Sequence, residues 1–159
     1  MAVDGRLFVV TENNGARLYD FDEQGIIVPQ AVAQNEELAP DVSSPAVVGR
    51  RVFCVWEGLF CLDLERNLQP IWIGDDAAFC DSSPLFVTDR RVLAFGHGGE
   101  LLLVDAAGPE FRIISRWHLL DDRQSQRAEP LSHPALVGRR LYLRGEKELV
   151  CAELDPAAG

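Results

Sequence analysis

The chain has 159 residues, of which 47% are apolar and 25% charged, and its formal net charge is −10. That composition suits a soluble globular core, and no stretch approaches the roughly 20 apolar residues of a membrane-spanning helix. The acidic balance, with arginines spread one or two at a time beside turns, argues against nucleic acid and against anionic membranes, which need a clustered basic surface.

In chain order the pattern reads as short strands and turns, with no helix. The first unit (1–42) has a strand from Leu7 to Thr11, a second from Ala16 to Phe21 and a third from Ile26 to Val32. The second unit (43–81) opens with Pro45 to Val48, apolar throughout as a doubly buried strand should be. A Gly49-Arg50 turn leads to Val52–Trp56, and Glu57-Gly58 closes a hairpin onto Leu59–Leu64. Glu65-Arg66-Asn67 is a polar turn in which Asn67 suits positive φ, and Pro70–Ile73 is the fourth strand. The third unit (82–131) repeats this order with Leu85–Val87, Val92–Phe95, Leu101–Asp105 and Phe111–Trp117, then carries a polar insertion, Leu119–Glu129, expected as an exposed loop. The last unit (132–159) has Pro134–Val137, Leu141–Arg144 and Glu148–Leu154, and runs out in Asp155-Pro156-Ala157-Ala158-Gly159.

These units are repeats. Ser43-Ser44-Pro45, Ser82-Ser83-Pro84 and Ser132-His133-Pro134 each precede an apolar run, a turn, an arginine and a second apolar run. Aligned on Arg6, Arg50, Arg90 and Arg139, the copies lie 44, 40 and 49 residues apart. Short strands recurring every 40 to 50 residues or so are the mark of a β-propeller. The expectation is an all-β propeller segment of about four antiparallel four-stranded blades, two complete and two, at the ends, with three strands.

The four cysteines, Cys54, Cys61, Cys80 and Cys151, form no C-x-x-C pair and no zinc spacing. Cys61 and Cys151 occupy the slot that holds Leu103 in the third unit, so they read as small core residues. The hairpin at Glu57-Gly58 would place Cys54 opposite Cys61, which leaves a disulfide open. Asp41 and Asp81 suit turn capping. The histidines, His97 in Gly96-His97-Gly98-Gly99, His118 and His133, lie on different loops and make no metal site by spacing. No nucleophile elbow or zinc-protease motif is present. The serines of the repeated phrase (Ser43, Ser44, Ser82, Ser83, Ser132) and His133 stand beside the innermost strands. They are the candidate channel-facing binding residues, and the plain alternative is satisfied turn positions.

The repeat resembles the pyrroloquinoline-quinone-like (PQQ-like) β-propeller repeat, through Ser44-Pro45, Leu62-Asp63 and Trp72 in one unit and Ser83-Pro84, Val104-Asp105 and Trp117 in the next. Asp20 and Gly25 match in the first unit and Pro134 in the last. The Thr-Gly turn of that repeat is absent from the two best units. The resemblance implies a propeller and a structural role for Trp72 and Trp117, each buried between adjacent blades. It also sets what the quinone dehydrogenases of that superfamily need: a full ring, a calcium site, a catalytic aspartate and adjacent cysteines. This chain has no adjacent cysteines, so the expectation is no catalytic residue, no cofactor and no metal. The leading reading is a non-catalytic interaction or scaffold module whose partner is protein or a second copy, the latter closing an eight-bladed ring. The alternatives are a segment of a larger quinoprotein-like enzyme and a sensor for a small ligand at the ring centre. With no signal peptide at the start, a cytoplasmic location is expected if Met1 is the native start.

Overall fold

The computed structural model describes residues 1–40, 43–79, 83–96, 98–120, 133–145 and 148–154. Among them are fifteen strands and no helix. The first blade is β1 (Ala2–Val3), β2 (Arg6–Thr11), β3 (Gly15–Tyr19) and β4 (Ala33–Asn35). The second is β5 (Ala46–Val48), β6 (Arg51–Val55), β7 (Leu59–Asp63) and β8 (Gln69–Gly74). The third is β9 (Leu85–Val87), β10 (Arg91–Gly96), β11 (Glu100–Asp105) and β12 (Ile113–His118). The fourth is β13 (Ala135–Val137), β14 (Arg140–Arg144) and β15 (Leu149–Glu153). Each is an antiparallel sheet with its strands in chain order.

The all-β expectation and the four units hold, with one change in the count. The N-terminal blade has four strands, because Ala2–Val3 pairs with Leu7 and Arg6 as an inner strand. A two-residue segment is too short to show alternation, which is why pattern alone passes over it. The outer strand of that blade is also not Ile26–Val32. Phe21 and Ile27 form an isolated bridge, Asp22 Oδ1 accepts from the backbone N–H groups of Gln24 and Ile26, and the strand forms later, at Ala33–Asn35. The aspartate turn outcompetes the β-branched run for the backbone.

The register also moves the arginine anchor. Val3 pairs with Arg6, Val48 with Arg51 and Val137 with Arg140. Arg91 and Arg51 each pair with an aspartate, Asp105 and Asp63. The equivalent residues are therefore Arg6, Arg51, Arg91 and Arg140. Asn67 and its neighbour Leu68 take positive φ (53° and 57°), so the polar turn is as expected.

The core lies between blades. Phe8, Ala16 and Leu18 of the first blade meet Val52, Cys54, Phe60 and Leu62 of the second. The opposite face of the second blade, Phe53, Val55, Cys61 and Trp72, meets Val92, Ala94, Leu102 and Val104 of the third. Phe95 and Leu101 then meet Leu141 and Leu143 of the fourth. Leu120, in the stretch expected as a polar loop, is buried in this last junction, while 121–129 lie outside the described residues.

Cys54 pairs across the hairpin with Phe60 and Cys61 with Phe53, so the two thiols point to opposite faces of the blade and into different junctions. Both are free. The open possibility of a Cys54–Cys61 disulfide is therefore overturned by a one-residue stagger in the hairpin, since alternate residues face opposite ways.

The two tryptophans part company. Trp72 is buried, packed between Phe53 of its own blade (centroids 5.9 Å apart) and Phe111 of the next (5.7 Å). Trp117 is 54% exposed, against the expectation of a docked ring. The register supplies the reason. Trp72 pairs with Cys61 and Gly74 with Leu59, whereas Ser115 pairs with Leu103 and Trp117 with Leu101. Ser115 thus holds the rung of Trp72, and Trp117 the rung of Gly74. A Cβ on Gly74 would collide with the Phe111 ring, so that rung is left bare for the next blade's phenylalanine. In the third blade the rung carries the indole itself, with no ring contact from the fourth blade among the described residues.

Trp72→Ala should cost about 3–5 kcal/mol as a large core ring is removed, while Trp117→Ala should cost less than about 1 kcal/mol. Urea titration of the two variants checks the contrast; equal losses would mean that both rings are docked.

Candidate functional site

The candidate channel residues lie beside the inner strands β5, β9 and β13, of which β5 and β9 are neighbours. Ser43 is half-buried and Ser44 exposed. Ser83 is buried, and its hydroxyl has no hydrogen-bond partner among the described residues. His133 is exposed, next to the buried Pro134. Ser82 and Ser132, with Asp41, Cys80, Asp81 and His97, lie outside the described residues. The structure thus brings Ser43, Ser44 and Ser83 to adjacent inner strands and does not gather them into a charged or nucleophilic cluster. Among the described residues no group of three or more His, Cys, Asp or Glu side chains could hold a metal ion, and no helix is long and apolar enough to cross a membrane.

The thiols follow their environment. Burial pushes Cys54 and Cys61 each up to about 12, with Arg51 offsetting part of the effect at Cys61. Cys151, in the matching slot of the last blade, is exposed. The slot is a core position only where a further blade covers it: Cys61 is fully buried, Leu103 half-buried and Cys151 open.

Polar pins link the blades. Asn35 Nδ2 donates to Leu68 O of the second blade at 3.0 Å. Arg51 Nη1 donates to the Ala106 and Gly108 carbonyls in the third blade's turn. Arg116 on β12 pairs with Glu100 of the adjacent strand and with Asp76, in the loop after β8. Its hydrogen bond to Glu100 leads the causes that hold the guanidinium above its ordinary pKa. Arg112 donates to Asp105 and depresses that carboxyl below its usual range. Sequence reasoning missed the clamp of Arg51. The Arg-Arg pairs at the second-strand starts were its signal, since one arginine of such a pair can serve the turn and the other the next blade.

The ends of the chain differ from its middle. β15 is the sheet edge of the fourth blade, with no strand beyond it among the described residues. Beside it, a cleft of about 400 Å³ opens between the third and fourth blades. Its floor is Leu93, Leu101 and Leu103, and its walls are Ser115, Trp117 and Leu154, with Glu153 at the rim. Leu136, Val137 and Leu149 of the fourth blade are exposed, as are Phe21, Ile26, Ile27 and Val32 of the first.

No family model matches the chain, and no curated protein matches it. Solved structures do. BamB from Moraxella catarrhalis superposes with a TM-score of 0.59 at 17% identity, over 94% of this chain and 46% of that one. Hsv2 of Kluyveromyces lactis gives 0.54 at 14% identity, over 97% of this chain and 43% of that one. Both are propellers. The fold is therefore a β-propeller, of which the chain spans about half the length found in these two.

Alkylation of the native protein should label Cys151 and leave Cys54 and Cys61 untouched until the protein unfolds, because a buried thiol near pKa 12 is neither ionised nor reachable. Peptide mass mapping reads the order, and early labelling of Cys61 would mean that its junction opens. Ser83→Ala should leave stability within about 0.5 kcal/mol of the parent or raise it, since a buried hydroxyl without a partner is relieved. A larger loss in thermal melting would show that the hydroxyl has a bound partner.

Proposed function

We propose that the chain is a non-catalytic propeller module of the PQQ-like type, that it acts by binding protein, and that it completes its ring with a second copy placed head to tail. The observation that carries this reading is the gradient across the blades. Positions that are sealed at internal junctions, Phe53 and Cys61, have counterparts at the leading end, Tyr142 and Cys151, that are half-buried and exposed. At the trailing end Leu7 and Val9 of the first blade are half-buried. A blade face built to be covered, yet open at both ends of an arc, favours association.

A match over 46% of BamB supports an arc of about half a ring. Two such arcs related by a twofold axis make two equivalent junctions and leave no free blade face. The reading as non-catalytic rests on the separated cysteines and on the absence of the quinone dehydrogenase pattern from the sequence. A segment of a longer propeller is the competing reading, and it also rests on the open ends.

Light scattering of the purified chain should give about twice its 17.6 kDa. Leu149→Lys and Leu7→Lys, each placed on one open face, should each return the monomer. A folded monomer at all concentrations would overturn ring completion by a second copy.

A further inference from the structure

The fourth blade lacks an outer strand among the described residues, and the third blade shows what such a strand looks like. Arg91 pairs with Asp105 and Arg140 with Glu153, so Glu153 stands on the rung of Asp105. Five residues earlier, Glu148 stands on the rung of Glu100: Gly96 pairs with Glu100, and the Gly145 N–H donates to Glu148 O at 3.0 Å. In the third blade both acids are met by arginines of the outer strand. Arg112 pairs with Asp105, and Arg116 with Glu100 at 2.9 Å. In the fourth blade the matching acids await such partners. Glu153 reaches only as far as Arg139, at 4.0 Å, and no ion pair is formed by Glu148 among the described residues. Beside this edge lies the apolar cleft walled by Ser115, Trp117 and Leu154. Ser115 is small where Trp72 is large, so the cleft has room for a bulky side chain from outside.

We propose that the open edge of β15 and the cleft beside Trp117 form a strand-acceptor site, which takes an extended, arginine-bearing segment of a partner protein as the outer strand of the fourth blade. Backbone pairing to β15 supplies affinity without sequence preference, and the two acids and the cleft supply the selection. The segment has arginines four residues apart, to reach Glu153 and Glu148, and a bulky apolar residue to enter the cleft. Glu148 and Glu153 are five residues apart and so face opposite ways on β15, and a bulge between the two arginines, like the one in β12 opposite Leu103 and Val104, sends them to opposite faces to match. The partner is basic where the chain, at −10, is acidic, so charge also favours the encounter. This proposal deepens the protein-binding reading and is independent of ring closure.

The probe is a fluorescent peptide with the sequence of Phe111–His118, the outer strand of the third blade, titrated onto the full chain by anisotropy. Saturable binding is expected. It should weaken by about tenfold or more when Glu148→Lys and Glu153→Lys are combined in the chain, or when both peptide arginines are replaced by glutamate. It should recover when both partners carry the reversal. Both acids are exposed on the sheet edge, so the variant should keep its fold, and near-unchanged thermal melting checks this. Hydrogen exchange should slow along β15 on binding, which a merely ionic contact would not cause. Equal binding of a scrambled peptide, or binding indifferent to charge reversal, would overturn the site. So would a dimer of the parent chain that the reversal dissociates, because the edge would then belong to a second copy. A monomer that binds the peptide refutes ring closure alone, and a dimer that does not bind it refutes the strand-acceptor site alone.

Discussion

Every blade of this chain depends on its neighbour to bury a face. A three- or four-stranded sheet of such short strands has no interior of its own. Its apolar residues alternate to two sides, and each side is sealed only when another blade lies against it. The three junctions are therefore the core: Phe8 and Leu18 against Val52 and Leu62, Phe53 and Trp72 against Val92 and Leu102, Phe95 and Leu101 against Leu141 and Leu143. Apolar burial is non-directional, so it fixes that blades stack and not how they are turned. The orientation comes from the polar pins, Asn35 to the Leu68 carbonyl and Arg51 to the Ala106 and Gly108 carbonyls. Each crosses a junction at a turn, where the backbone acceptors are left over from strand pairing.

Much of this was legible in the sequence, for a physical reason. A repeat in which proline opens an apolar strand and glycine and arginine close it places the same residues at the same strand positions each time. The strands of the second and third blades are accordingly where the pattern puts them. What escaped were the features that depend on register. Trp72 and Trp117 each follow the aspartate of their unit, the second at a longer spacing, and they occupy rungs two residues apart. A bulge sits at the same place in both blades, between Cys61 and Leu62 and between Leu103 and Val104, so the offset lies in the outer strand itself, where Trp117 stands further beyond Arg112 than Trp72 does beyond Gln69. The stagger of the hairpin that separates Cys54 from Cys61 is the same kind of information: one residue of shift sends a side chain to the other face.

The candidate binding residues show a different limit. Those serines of the repeated phrase that are described lie beside the inner strands, because proline marks the strand start. Whether a serine at such a place faces a channel or the core is decided by the packing around it. Ser44 is exposed and Ser83 buried, although both directly precede the proline of the same phrase. Repetition predicts position, and the neighbouring blade decides exposure.

The end of the fourth blade joins these threads. An exposed strand edge is a hazard, since its free N–H and C=O groups will pair with any strand that arrives. Charges on the edge are one remedy, and Glu148 and Glu153 flank the apolar Leu149 and Val150 in that way. Two acids of one sign do more than discourage pairing in general. Laid antiparallel against a second β15, they would meet the same acids at close range, and like charges directly opposite are destabilising. Self-pairing through this edge is thus disfavoured. A basic strand meets the opposite situation, with each of its arginines neutralising an acid that the third blade shows to be within reach. The charges that protect the edge from its own copy are those that would select its partner.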